Sequence, residues 1–418
     1  MKIQRTIPPA AAPVGVKSLA HGFAGMIFGG KYRKRFEQEL KDYFKVNHVF
    51  MVSSGKAALT IILRALKSLS PGKREVLIPA YTCFSVPSAI VKAGLTVSLC
   101  DINDSTFDFD STRLGRELNE RTLCVIPNHL FGIPSDMDGI RSACSGRGIF
   151  IVEDAAQAMG GRYKEKKLGT IGDVGFFSLG RGKNITSGSG GVIITDSDSI
   201  AAAIEKECSL LGRPNAVETA IEYLKALMLA IFTRPALYWL PAGLPFLKLG
   251  ETVFYKDFAV KRFSGMKAGL ARGWQGRLER SNQTRQGNAE YFCKLLGLSI
   301  CSDFPLPFLR LPIVADSRKM RNSIYSLSRE RGLGISCMYP TAVNEIKEIK
   351  DTFSGEAYPS ARRVAERILT LPTHEFLSEK DKRKIVQFIK RISFSGDENA
   401  QPFYKDGYPV PELDSINK

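Results

Sequence analysis

Between residues 34 and 196, short runs rich in Val, Ile and Leu alternate with amphipathic helical stretches. This rhythm limits the fold more than any other feature of the chain. KRFEQELKDYFKV reads as a helix, HVFMVS as a strand, and GKAALTIILRALKSL as a helix that follows a Ser-Gly turn. EVLIPA, TVSLCDI, RTLCVIPNHL, IFIVED, VGFFSL and GVIITD read as further strands, with the helices SVPSAIVKAG and MDGIRSACSGRG between them. Strands of this kind, buried on both faces and joined through helices, build a mostly parallel sheet covered on both sides. Ligands of such sheets sit at the carboxyl ends of the strands. Chemistry is therefore expected at Ser54-Gly55, Tyr81-Thr82, Asn128-His129, Asp154 and Ser178.

The bulk properties narrow the partners. At 418 residues the chain is long enough for two or three domains. Its 59 basic and 42 acidic residues leave a net charge of +17, which suits nucleic acid, an anionic membrane surface or a phosphorylated small substrate. The basic residues are spread along the chain, and no nucleic-acid-binding signature accompanies them, so nucleic acid is not expected. Eight cysteines occur without a C-x-x-C pair, which argues against a zinc site; no metal is expected. The first residues, MKIQRTIPPAAAPVG, lack a secretory apolar core, and no apolar run approaches the ~20 residues of a membrane span. A cytoplasmic protein is expected, with peripheral contact at the inner face of the membrane as a variant.

Four regions follow. Residues 1–213 hold an N-terminal arm and the large α/β domain. Residues 214–263 form an apolar, Pro-rich insertion with a helical stripe at 221, 224, 227, 228 and 231. It is expected to pack on its own domain or on a twin subunit; docking on a membrane through 219–250 is the sharper alternative. Residues 264–393 carry a long helix and a smaller C-terminal α/β domain, and 394–418 read as a flexible tail.

Lys183 lies between glycines in FFSLGRGKNITSGSGG, but not in a nucleotide cradle. A P-loop needs G-x-x-x-x-G-K-[ST]; here Asn184 follows the lysine and Phe177 stands where the first glycine belongs. IFIVED ends in Glu153 and Asp154, and VGFFSL delivers Ser178 some twenty residues later, just ahead of Lys183. An acid, a hydroxyl and a lysine amine at neighbouring strand ends suit pyridoxal 5′-phosphate (PLP). That cofactor needs an amine to bond its aldehyde, a carboxylate for its ring nitrogen, and N–H groups and a hydroxyl for its phosphate.

Several stretches in order resemble the DegT/DnrJ/StrS-type sugar aminotransferases, which have the fold type I architecture of PLP enzymes. SSGKAAL resembles the phosphate turn S-G-T-A-A-L, and HLFGIPSDMDGI resembles H-L-[YF]-G-x-P-x-D-M-D. VEDAAQAMGG through KNITSGSGG resembles E-D-A-A-Q-x-x-G through K-N-[LI]-T-T-G-E-G-G. MYP at 338–340 and ILTLPTHEFLSEKD resemble the C-terminal landmarks. The resemblance implies that Lys183 bonds the cofactor and moves the proton, and that Asp154 pairs with the ring nitrogen. It puts Gln157 by the ring's 3′ oxygen, and Ser54, Gly55, Lys56 and Ser178 around the phosphate. His129, Tyr339 and His374 are expected to face substrate. The implied reaction transfers an amino group, with glutamate the usual donor, to a keto group of a nucleotide-linked sugar in amino-sugar or surface-polysaccharide biosynthesis. A homodimer is implied as well. The alternative is an inactive family member acting as a regulator or scaffold.

Three departures stand out. Lys56 replaces the phosphate-turn threonine, and the family's Asn-Tyr-Arg-Met segment reads Phe263-Ser264-Gly265-Met266, without the asparagine that reaches a partner's phosphate. Lys56 either substitutes for that asparagine or points to solvent. Cys83 stands where an aromatic residue stacks on the ring, with Tyr81 and Phe84 as candidates to replace it, and Ser189 replaces a glutamate.

Overall fold

A computed structural model describes residues 3–393, apart from 248, 250–251, 299–304 and 354. The expected tail at 394–418 lies outside the described residues. Strands β1 (His48–Val52), β2 (Glu75–Pro79), β3 (Thr96–Cys100), β4 (Thr122–Val125) and β5 (Phe150–Asp154) come first. A two-strand hairpin, β6 (Arg162–Tyr163) and β7 (Lys166–Lys167), precedes β8 (Val174–Ser178) and β9 (Gly191–Thr195). Seven of these form one sheet in the order β1-β9-β8-β5-β4-β2-β3. The pairs from β3 across to β8 are parallel, and β9 runs antiparallel to both β8 and β1. One antiparallel strand in a parallel sheet keeps the ends of β1, β4, β5 and β8 on one edge. The mostly parallel sheet with helices between its strands is as the sequence rhythm requires.

The helix Gly55–Leu69 is buried at ten of its fifteen positions, which explains why its sequence is apolar almost all round. Strand β5 is likewise buried from Ile151 to Asp154. Two features escaped the sequence reading. The expected single helix from 264 is two, Gly265–Leu270 and Trp274–Leu296, because Gly273 between them takes a left-handed conformation at φ 69°. Glycines also let the helix Val16–Ile27 sink against Gly265–Leu270. A Cβ on Gly25 would lie 2.3 Å from the Gly265 carbonyl oxygen, and one on Gly269 would lie 2.0 Å from that of His21.

The smaller C-terminal part pairs β10 (Arg310–Val314) with β11 (Ile368–Pro372), antiparallel, under helices Arg318–Arg331, Pro359–Arg367 and Glu379–Ser393. The N-terminal arm does not stay with the large sheet. The Ile7 amide donates to the Gly332 carbonyl at 2.8 Å, and Arg5 pairs with Asp381 at 2.7 Å. The 214–263 region holds the helices Ala216–Phe232 and Trp239–Ala242, then returns to the sheet edge, where the Ser53 amide donates to the Lys261 carbonyl at 2.9 Å.

Candidate active site

The site forms where the ends of β1, β5 and β8 meet. Ser54 follows β1 and caps the helix Gly55–Leu69, its Oγ accepting from the Ala57 amide at 3.1 Å. Ser178 ends β8 and crowds this helix start so closely that a Cβ on Gly55 would sit 2.9 Å from its own Cβ. Only glycine permits that approach, and it leaves free helix N–H groups beside a serine hydroxyl. Such a place receives an anion.

Asp154 ends β5, which pairs with β8, and it is only 4% exposed. Its Oδ1 accepts from the Ala156 amide at 3.0 Å. Burial raises its pKa, while that hydrogen bond and its neighbours Lys183 and His129 pull it back. Lys183 shows the mirror image. Burial lowers the pKa of its amine, Cys83 and Asp154 oppose the shift, and the Arg310 charge adds to it. Lys183 and Asp154 thus act on one another, yet among the described residues they form no direct ion pair. A desolvated amine, a desolvated carboxylate and an anion-receiving helix start fit the aldehyde, ring nitrogen and phosphate of PLP, so the residues present suit that cofactor.

Gln157 is buried, and its amide is spoken for: Nε2 donates to the Tyr339 hydroxyl at 2.9 Å, and Oε1 accepts from the Phe131 amide at 3.3 Å. Tyr339 is only 3% exposed, packed against Tyr81 at 5.7 Å and Phe84 at 6.4 Å between ring centroids. It therefore braces Gln157. The two histidines differ from the expectation that they face substrate. His129 is fully buried; its Nδ1 accepts from the Ser135 amide at 3.1 Å, so Nε2 carries the proton and donates to Glu153 at 3.0 Å. His374 is fully buried between the Pro8 carbonyl, 2.8 Å from Nε2, and the Phe376 amide. Burial, first of all, holds it neutral with a pKa of about 3. Neither ring has a free nitrogen for a ligand.

Glu153 and Asp154 separate cleanly by role. The Glu153 carboxylate is fully buried and accepts from the amides of Gly169, Ile171 and Gly172 besides His129. It holds the loop before β8.

Cys83 occupies the position left open for an aromatic. Tyr81 and Phe84 are sealed in the core around Tyr339, whereas Cys83 is half-buried and acts electrostatically on Lys183, Lys56 and Tyr339. No ring therefore replaces the missing one from this segment. The Lys56 ammonium lies 4.6 Å from the Phe258 ring centroid and 5.6 Å from that of Tyr255, both in the 214–263 region. Burial lowers its pKa. Three residues here carry no sequence signal at all. Arg285, fully buried, donates to the carbonyls of Ala11 at 2.7 Å, Leu309 at 2.9 Å and Lys183 at 3.4 Å. Arg310 and Tyr238 stand close enough to influence each other's charge, and Arg310 also acts on Lys183.

A buried aspartate ending one strand, a desolvated lysine just after the next and a capped helix start beside them suit the plan of fold type I PLP transferases. Solved structures share the whole architecture. The aminotransferase PseC of Helicobacter pylori, involved in the biosynthesis of pseudoaminic acid, aligns over 93% of this chain and 99% of its own, with a TM-score of 0.75 at 15% identity. Spr1654 of Streptococcus pneumoniae, solved in its PLP form, aligns over 93% and 98%, with a TM-score of 0.75 at 22% identity. In sequence, a GDP-perosamine synthase of Vibrio cholerae is 35% identical over 171 residues, 41% of this chain and 46% of that protein. The match thus spans about half the length of such relatives. The chain belongs to the DegT/DnrJ/EryC1/StrS aminotransferase family, whose pattern matches residues 18–229 and 252–390. Residues 230–251 fall between the two matched stretches.

Proposed function

We propose that the protein is a PLP-dependent aminotransferase that moves an amino group from glutamate to the keto carbon of a nucleotide-linked sugar. The product serves amino-sugar or surface-polysaccharide biosynthesis. The observation that carries this reading is a desolvated Lys183 amine and a buried Asp154 carboxylate whose charges act on one another. PLP, when bound, supplies an electron sink for the carbon that loses its proton. The chain's own residues do the rest. Ser54, Gly55 and Ser178 receive the phosphate at the helix start, and Lys56 adds positive charge there in place of the missing partner asparagine. Asp154 keeps the ring nitrogen protonated, and Gln157, braced by Tyr339, faces the ring's oxygen edge. Lys183, whose lowered pKa favours the neutral amine, takes the proton from the donor's Cα and returns one on the opposite side of the transfer. The complete Lys183, Asp154, Gln157 and Ser178 set speaks against an inactive scaffold.

The test is borohydride reduction of the purified protein with PLP, read by peptide mass on the segment holding Lys183, followed by mass spectrometry of nucleotide ketosugars incubated with glutamate. A tagged Lys183 and an aminated sugar are expected. Absence of cofactor on Lys183 refutes the reading.

We further infer a cytoplasmic homodimer. Among the described residues, no helix is long and apolar enough to cross a membrane. Val217, Ile221, Leu224, Met228 and Ile231 are each at least 46% exposed and repeat at four-three spacing on one helix face. That spacing suits a matching helix of a second copy. Ile221→Glu with Met228→Glu is expected to yield monomers in sedimentation. If both proteins sediment alike and only the parent pellets with anionic vesicles, the face is a membrane contact instead.

A further inference from the structure

Lys56 and Lys92 bring two positive charges to one aromatic ring, and neither meets an acid. The Lys56 ammonium lies 4.6 Å and that of Lys92 4.9 Å from the Phe258 ring centroid, and Lys56 lies 5.6 Å from that of Tyr255. Among the described residues neither lysine forms an ion pair, whereas Lys261, on the same segment as the two rings, pairs with Glu218 at 2.6 Å. The Lys92 ammonium has a neutral acceptor, the Lys256 carbonyl at 3.4 Å, and the half-buried Lys56 ammonium has no acceptor among the described residues. A ring face offsets part of an ammonium's charge. Two like charges on one ring still repel, and an anion between them relieves both.

The rings beside these charges are held in place, and one of them is open. Phe258 packs against the core. The Tyr255 amide donates to Ser88 Oγ at 3.2 Å, on the helix Ser85–Lys92, and that hydroxyl donates in turn to the Phe84 carbonyl at 2.7 Å. Tyr255 itself remains 50% exposed. The platform borders the cofactor pocket. Lys56 follows Gly55 at the helix start, and Cys83 acts electrostatically on both Lys56 and Lys183. An open ring beside two unpaired cations suits a ligand that joins a flat base to phosphates. An amino acid would use the charge and not the ring, and an unphosphorylated sugar would leave the charges unbalanced.

The geometry points to a nucleotide subsite at Tyr255 and Lys92: the base of a nucleoside diphosphate stacks on Tyr255, and its phosphates lie between Lys56 and Lys92. This rests on the aminotransferase reading above and names the residues that hold the carrier end of the acceptor. With that end fixed on the platform, the sugar is left to extend toward Lys183. Lys56 stands where the two anions of the reaction meet, between the cofactor's phosphate and the acceptor's.

The test is calorimetric binding to the PLP-loaded protein. The probes are UDP, GDP and dTDP, each alone, and inorganic pyrophosphate, which has no base. Tyr255→Ala is expected to weaken the tightest of the three nucleotides at least about 10-fold, the scale of a lost base–ring contact, and to leave pyrophosphate within about 3-fold. Tyr255→Phe, which keeps the ring, is expected to stay within about 3-fold of the parent for both. Lys92→Gln is expected to weaken nucleotide and pyrophosphate alike, by about 5-fold or more. Parent-like nucleotide binding by Tyr255→Ala overturns the proposal, as does a parent that binds none of the three, or a pyrophosphate loss in Tyr255→Ala as large as the nucleotide loss. If Tyr255→Ala does not fold, parent-like nucleotide binding by Tyr255→Ile, which has no ring, overturns it equally. Ring-dependent nucleotide binding in a protein that aminates no sugar leaves the subsite standing and removes the aminotransferase reading alone.

Discussion

Replacing Glu153 by Gln tests how the loop before β8 is held. The carboxylate meets four donors: Ile171 and Gly172 amides on Oε1, and the Gly169 amide and His129 Nε2–H on Oε2. The Ser135 amide occupies Nδ1 of His129, so the imidazole cannot switch its proton to accept instead. An amide in this position keeps one oxygen and turns its NH2 toward two donors, whichever way it lies. Two buried N–H groups lose their acceptor, at about 1–3 kcal/mol each, so Glu153→Gln is expected to destabilise by about 2–6 kcal/mol. That is a large share of the roughly 5–15 kcal/mol that keeps a domain folded. The measurement is denaturant unfolding followed by circular dichroism, with hydrogen exchange at 169–172 as the local readout. A loss below about 1 kcal/mol, with unaltered exchange in that loop, refutes the reasoning, because the four donors would then have found partners without the carboxylate.

Further outcomes follow from the same structure. Asp154→Asn keeps the acceptor for the Ala156 amide but loses the charge; turnover is expected to fall about 100-fold or more with cofactor still bound, checked by steady-state rates. Lys56→Thr is expected to weaken PLP about 5–30-fold in a spectral titration, the scale of one charge-assisted contact, and equal affinity removes Lys56 from the phosphate site. His374 binds its proton near 3 when folded and near 6.5 when unfolded, so the unfolded chain takes up more protons between those values. Stability present above about 6.5 is lost as the pH falls, at up to about 1.4 kcal/mol per unit, and His374→Gln is expected to flatten that slope.

The large sheet was legible because each strand is a short apolar run closed by a polar residue, and the polar residues at the closing ends are the ones that meet. Asp154, Ser178 and Ser54 needed only that rule; Lys183, five residues beyond β8, was reached through its glycine-rich segment and the family resemblance. The histidines were misread for a physical reason. A histidine at a strand end looks the same in sequence whether backbone amides and carbonyls occupy both its nitrogens or leave one free. Arg310, Arg285 and Tyr238 gave no signal, because they come from distant parts of the chain and no local pattern records which residues they meet. The hairpin at 162–167 and the break at Gly273 are too short for periodicity to register.

One guanidinium, that of Arg285, clasps three carbonyl oxygens drawn from the N-terminal arm, the lysine loop and the chain just ahead of β10. Swinging the C-terminal part away from the sheet must therefore drag the lysine loop along or break the clasp. The setting of the C-terminal part against the sheet and the setting of the Lys183 loop are thus tied through a single side chain.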